Sequence, residues 1–103
     1  MLVDRPIKRL IRLNTKDCLW PYILSILNKK PTHAYILREE IRKKFNFLPG
    51  QVTSYTTLYS LKKQGLVSKE KRDRIIVYKI TPKGKDTLKQ AKNFYKEILR
   101  KIN

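Results

Sequence analysis

The segment "RPIKRLIRL" places Ile7, Leu10 and Ile11 at i, i+3 and i+4, the spacing of one helical face. Asp4 is a candidate N-cap, and Pro6 is tolerated in a first turn. This predicts a short, basic, amphipathic arm over residues 1–13, read as docking onto the rest of a small dimer. Binding to a membrane surface is the weaker alternative. Over residues 14–30, "NTKDCLWPYILSILNKK", the apolar Leu19, Tyr22, Ile23, Ile26 and Leu27 recur at helical spacing and predict a core helix. Asn14 and Asp17 have the spacing of a capping box at its start. Pro21 must either lie in the first turn of this helix or kink it.

A third helix is predicted in "KPTHAYILREEIRKKFNF", with Thr32 as N-cap and Pro31 barring continuation of the helix before it. Tyr35, Ile36, Ile41 and Phe45 are assigned to its buried stripe, and Arg38, Glu39, Arg42 and Lys43 to its wet face. Pro and Gly in "NFLPGQ" end it. The next helix lies in "VTSYTTLYSLKKQGLV", with Thr53 as candidate cap and Gly65 as the left-handed residue that closes it. Ser54, Leu58, Leu61 and Gly65 share one face. Thr56, Tyr59, Ser60 and Lys63 occupy the opposite one, with Tyr55 and Thr53 at its edge.

After Gly65 the period changes to two. "LVSKEK" alternates, a tight turn falls at Arg72-Asp73-Arg74, and "IIVYKI" is β-branched and aromatic. This predicts a β-hairpin with a basic tip. Thr81 as N-cap and Pro82 at N1 restart a helix that runs to about Ile102. In it Leu88, Ala91, Tyr95, Ile98 and Ile102 are spaced 3-4-3-4, the seam of a helix that pairs with another helix. The order of helices and hairpin predicts a mainly α fold with a small β-hairpin. It is a winged helix-turn-helix (residues 14–85) between an N-terminal arm (1–13) and a C-terminal dimerisation helix (86–103).

Charge gives this fold a direction. Among 103 residues, 25 are Lys or Arg and 8 are Asp or Glu, a formal net charge of +17. Such a field attracts polyanions. The basic residues are spread, and densest around 69–85, whereas residues 51–66 hold Lys62 and Lys63 and no carboxylate. A helix entering the major groove of a duplex must be narrow, must exchange hydrogen bonds, and must keep carboxylates away from phosphates. The exposed hydroxyls of "VTSYTTLYS" meet those requirements. A merely solvated face is the bland alternative, though Thr is a poor helix former.

Other chemistries are poorly supplied. One cysteine, Cys18, rules out an intrachain disulfide and reads as a small buried hydrophobe in a reducing compartment. One His and one Cys cannot build a structural zinc site within the chain. We find no Ser/His/Asp set and no phosphate-cradling Gly loop, so neither catalysis, nor a metal, nor a cofactor is expected. No apolar run of about 18 residues is present, and the N-terminus is too charged for a secretory signal. The expected location is the cytoplasm. His33 reads as structural. Trp20 and Tyr22 read as core packing, with stacking of a planar effector as the alternative.

Several motifs resemble the PadR family of winged-helix transcriptional regulators over roughly residues 19 to 88. Pro31, Thr32, His33, Ala34 and Tyr35 are similar to its Pro-x-His-Gly-Tyr turn. Ser54, Tyr55, Leu58, Leu61, Gly65 and Leu66 follow its recognition helix, and Tyr78, Ile80, Thr81 and Gly84 its Tyr-x-Leu-Thr-x-x-Gly element. Ala34 stands where the family has Gly. Ser54 stands where it has Leu, which is expected to remove a core contact.

The resemblance implies a homodimer formed through the C-terminal helix with help from the N-terminal one. It also implies binding of a palindromic operator, usually as a repressor. The expected DNA-binding residues are Thr53, Tyr55, Thr56, Tyr59, Ser60 and Lys63 of the recognition helix, and Lys69, Lys71, Arg72 and Arg74 of the wing. The expected partners are double-stranded DNA and a second copy of the chain, not a membrane. Whether a small effector exists is left open. Two other readings of the same fold are a sequence-indifferent protein that coats DNA and a module that binds protein or RNA.

Overall fold

A computed structural model describes residues 4–102; residues 1–3 of the predicted arm and residue 103 lie outside it. Five helices, α1 (Arg5–Leu13), α2 (Trp20–Lys29), α3 (Ala34–Phe45), α4 (Gln51–Lys63) and α5 (Pro82–Lys101), surround a small antiparallel sheet. Its strands are β1 (Thr32–His33), β2 (Val67–Arg72) and β3 (Ile75–Ile80), in the order β1-β3-β2. The fold is thus the predicted winged helix-turn-helix, with α3 and α4 as the helix-turn-helix and β2-β3 as the wing. No helix among the described residues is long and apolar enough to cross a membrane.

The core is built where the helical stripes converge. Ile23 and Leu24 of α2, Leu37 and Ile41 of α3, and Leu58 and Leu61 of α4 are all but inaccessible, and Leu66, Val67 and Leu88 close the cluster. On α3 the stripe is Ala34, Leu37, Ile41 and Phe45, not the predicted Tyr35, Ile36, Ile41 and Phe45. At about 100° per residue, Tyr35 and Ile36 point away from it, and they are 85% and 38% exposed. Buried Ser54 keeps its place in the α4 stripe because its hydroxyl donates to Gly50 O at 2.7 Å. The position that loses an apolar contact thus leaves no orphan polar atom.

Three helix starts differ from the expected ones. Asn14 and Asp17 do not open α2. Asn14 closes α1, donating from Nδ2 to Leu10 O, and Asp17 pairs with Arg12 at 3.2 Å. Helix α2 begins at Trp20, which puts Pro21 in its first turn and leaves the helix unkinked. Thr32 is not a cap but a buried strand residue opposite Tyr78, and His33 precedes α3 in the cap position. Gly50, not Thr53, precedes α4. Asp17 thus found Arg12 as its partner, and the Thr32 hydroxyl donates to Lys30 O at 3.0 Å. Cys18 is half-buried, not buried.

The C-terminus of α4 is a Schellman turn. Leu66 N–H donates to Leu61 O and Gly65 N–H to Lys62 O, with Gly65 at φ 78°. The two-residue wing turn has Asp73 at φ 57°, the positive φ that primed hairpin turns require at their first position. Thr81 caps α5 as expected, accepting from Gly84 N–H at 3.0 Å.

Two helices project. The apolar Ile7, Leu10, Ile11 and Leu13 of α1 are exposed. Helix α5 has 20 residues, about 30 Å at 1.5 Å per residue, and buries only Gly84 and Leu88. The radius of gyration is 14.7 Å, against about 13 Å for a compact domain of this length.

A methyl group on Gly84 would lie 2.1 Å from the Leu66 carbonyl oxygen, a backbone atom that cannot swing aside. Gly84→Ala is expected to destabilise the fold by at least about 2 kcal/mol, read by urea unfolding.

Burial raises the pKa values of Tyr22, Tyr78 and Tyr95; nearby titratable groups (Tyr95 and Cys18, Tyr55, and Cys18 respectively) add to it. Each phenol keeps its proton in the folded chain beyond the unfolded value of about 10. Their contribution is complete below pH ~10 and is lost as the pH climbs through the raised values. The melting temperature should therefore fall from about pH 10 upward, and Tyr22→Phe should make that fall shallower.

Candidate nucleic-acid interface

The outward face of α4 is built from polar side chains because its inward face uses every apolar residue between Thr53 and Lys63 except the tyrosines. Thr53, Thr56, Tyr59, Ser60 and Lys63 are exposed, Tyr59 by 69%, and Tyr55 is 45% exposed at the edge toward the wing. Five of the six recognition-helix candidates therefore share one accessible face.

Their hydrogen-bonding capacities differ. Thr56 Oγ1 donates to Val52 O at 2.8 Å, which leaves its lone pairs outward as acceptors and its methyl free. Ser60 Oγ accepts from Gln64 Nε2 at 2.9 Å and keeps its own proton to donate. Tyr59 has no partner within the chain among the described residues, so its hydroxyl can do either. No carboxylate lies in the first turn of α4, and Lys62 and Lys63 lie in its last. The positive end of the helix is thus not neutralised by its own side chains.

The wing carries its cations on two surfaces. Residues paired across β2 and β3 share a face, so Lys69 and Lys71 lie with Tyr78 and Ile76, and Glu70 and Arg72 with Val77 and Ile75. Arg72 is ion-paired with Glu70 on its own face, whereas Arg74, at the turn, has no ion-pair partner among the described residues. The two wing arginines, equivalent by sequence, are therefore not equivalent in the fold.

Arg74, Lys69, Tyr55 and Tyr78 line an open groove of about 450 Å³ with His33 and Tyr35, at the junction of α3, α4 and the wing. Sequence reasoning placed Tyr35 in the core and His33 in a structural role. The available signal was the 34-37-41-45 spacing, a cleaner stripe that leaves Tyr35 outside. Trp20 lies beside Thr56, Thr57, Ser60 and Gln64 of α4 and Thr87 of α5 along a second groove. Tyr22 makes edge-on contacts with Phe45 and Phe47, at centroid distances of 4.8 and 4.9 Å, and bonds Asn14 O. It is a packing residue.

Of the seam residues, Leu88 is spent on the chain's own core and Ala91 is half-buried. Tyr95, Ile98 and Ile102 remain exposed, together with Phe94 and Leu99. Among the described residues no group of three or more His, Cys, Asp or Glu side chains converges as a metal site.

A helix-turn-helix followed by a two-stranded wing, whose sheet β1 completes, defines this chain as a winged-helix protein. The sequence pattern of the PadR-like family of transcriptional regulators matches residues 23–90, and the chain belongs to that family. Solved structures share the fold. A PadR family transcription regulator from Clostridium difficile R20291 superposes with a TM-score of 0.73 at 25% identity, over 79% of this chain and 90% of that one. F93 from STIV, a winged-helix DNA-binding protein, gives 0.74 at 24% identity, over 89% and 97%. The transcriptional regulator BldR from Sulfolobus solfataricus gives 0.67 at 20% identity, over 95% and 80%. A comparison with curated protein sequences finds no match.

Proposed function

We propose that this transcriptional regulator is a homodimeric, sequence-specific binder of duplex DNA that represses from a palindromic operator. The observation that carries the reading is the outward face of α4: accessible hydroxyls, a lysine and no carboxylate, on the second helix of a helix-turn-helix. In this reading α4 enters the major groove. Tyr59, Ser60 and Thr56 meet base edges, and the Thr56 methyl meets thymine methyls. Thr53, Tyr55 and Lys63 hold the flanking phosphates, and Lys69, Lys71, Arg72 and Arg74 of the wing reach the adjacent backbone or minor groove. Affinity comes largely from counterion release by these cations.

A second copy supplies what α5 lacks. Phe94, Leu99 and Ile102 are 62%, 76% and 68% exposed on a helix that protrudes from the domain. Contiguous apolar surface of this kind is covered in solution by a partner. Pairing of α5 with its copy, assisted by the apolar face of α1, would set two α4 helices about one helical turn of DNA apart, roughly 34 Å. The half-buried thiol of Cys18 and a chromosomal target suit the cytoplasm. A DNA-coating role would leave the acceptor and donor pattern of α4 without a use.

Selection of bound duplexes from a random pool tests the reading directly, and an enriched palindrome is the expected result. Thr56→Ala and Tyr59→Ala should lower affinity for that operator about tenfold each while leaving random duplex nearly unaffected. Arg72→Ala combined with Arg74→Ala should weaken both alike and flatten the salt dependence. Equal losses on both duplexes for all of these changes would favour the coating role. By sedimentation equilibrium the free protein should weigh twice the chain mass. Ile98→Glu with Leu99→Glu should bring it to a monomer whose melting temperature is lower and whose operator binding is lost.

A further inference from the structure

We propose that the groove between the start of α3 and the wing is a backbone clamp. It holds one sugar–phosphate strand of the duplex between Arg74 with Lys69 on one wall and the stacked pair His33–Tyr35 on the other. The inference rests on the reading that the chain binds duplex DNA, and adds a contact made outside the recognition helix and hairpin tip.

Tyr35 is 85% exposed, the most accessible large hydrophobic side chain among the described residues. It contributes nothing to the α3 stripe. It is nevertheless not splayed at random: its ring lies parallel to that of His33, at 6.3 Å and 14°. Strand β1 sets the position of that pair, because His33 is in register with Val77 of the wing. Two rings that the core does not need are thereby fixed beside the hairpin.

The groove also holds two cations. Lys69 and Arg74 line the groove, and no carboxylate does. Glu70 faces the other side of the wing and is engaged by Arg72, and Glu39, on the next groove along, is engaged by Arg42. Asp73 is the one acidic neighbour of Arg74 in the turn, and the two form no ion pair. A site with two cations, free aromatic N–H and O–H donors, and apolar ring faces suits a phosphodiester and its sugar. The guanidinium and ammonium take phosphate oxygens, Tyr35 Oη and a His33 ring N–H donate to the same strand, and ring carbons pack on deoxyribose. None of these contacts distinguishes one base from another. In this reading, with α4 in the major groove, the bordering strand would run between α4 and the wing, along a groove that Tyr55 and Tyr78 also line.

The test uses the full chain with its selected operator and a random duplex, each titrated across a range of salt. Tyr35→Ala should weaken binding about tenfold on both duplexes with an unchanged slope of log affinity against log salt. Arg74→Ala should weaken both and reduce that slope by about one. Tyr35→Phe separates the hydroxyl from the ring and should retain part of the affinity. Because the Tyr35 side chain is almost fully exposed, its variants should melt as the parent does. A methylphosphonate placed at the contacted phosphate should abolish the effect of Arg74→Ala. Unchanged affinity for Tyr35→Ala would overturn the clamp. So would a loss confined to the operator, which would make Tyr35 a base reader. Failure of the parent protein to bind any duplex would instead overturn the DNA-binding reading itself.

Discussion

Everything that orients the proposed interface passes through one junction, where carbonyls 64–66 meet residues 81–84. Thr81 N–H donates to Leu66 O at 3.1 Å, its hydroxyl to Gly65 O at 2.7 Å, and Lys83 Nζ to Gln64 O at 2.9 Å. The same Thr81 oxygen caps α5 by accepting from Gly84 N–H. The lack of a side chain at Gly84 lets that turn lie against the Leu66 carbonyl. The end of α4, both ends of the wing and the start of α5 are thereby held by a handful of backbone contacts. In the proposed homodimer, a rigid relation between α4 and α5 would be the requirement for two half-sites to be met at once.

Electrostatics divides labour on the surface. Of the ion pairs among the described residues, each is exposed and each consumes a basic residue near its own carboxylate: Arg12, Arg42, Arg72, Arg100 and Lys101. Pairs of that kind contribute little to stability. Their consequence is rather to use up carboxylates, and the remaining cations have no ion-pair partner among the described residues. In a molecule of net charge +17, those unpaired cations set the attraction for a polyanion. The α4 face lacks a carboxylate to oppose it, and the groove beside it has two such cations.

Family membership and geometry bear on different questions. Membership in the PadR-like regulators covers residues 23–90 and defines the protein's class. Ile7, Leu10 and Ile11 of α1 and Phe94, Ile98 and Leu99 of α5 lie outside that range and are exposed, and the proposed pairing with a second copy rests on them.

Much of this protein follows from local chemistry that acts over a few residues. The hydroxyl face of α4, the Gly65 closure, the Asp73 turn and the Thr81-Pro82 start of α5 could all be placed from the chain alone. Each depends on a side chain and its immediate backbone, through a positive φ, a missing N–H or a helical period. Tertiary structure decided what required distant partners. Thr32 became a strand residue because β3 offered it hydrogen bonds, and Asn14 and Asp17 closed α1 because the chain turned before Trp20. Arg72 and Arg74 parted company because Arg72 ends β2 on the face of Glu70, with which it pairs, while Arg74 lies in the turn. Pairing across a sheet and ion pairing within it have no signature within a short window, which is why those outcomes appear only when the chain is folded.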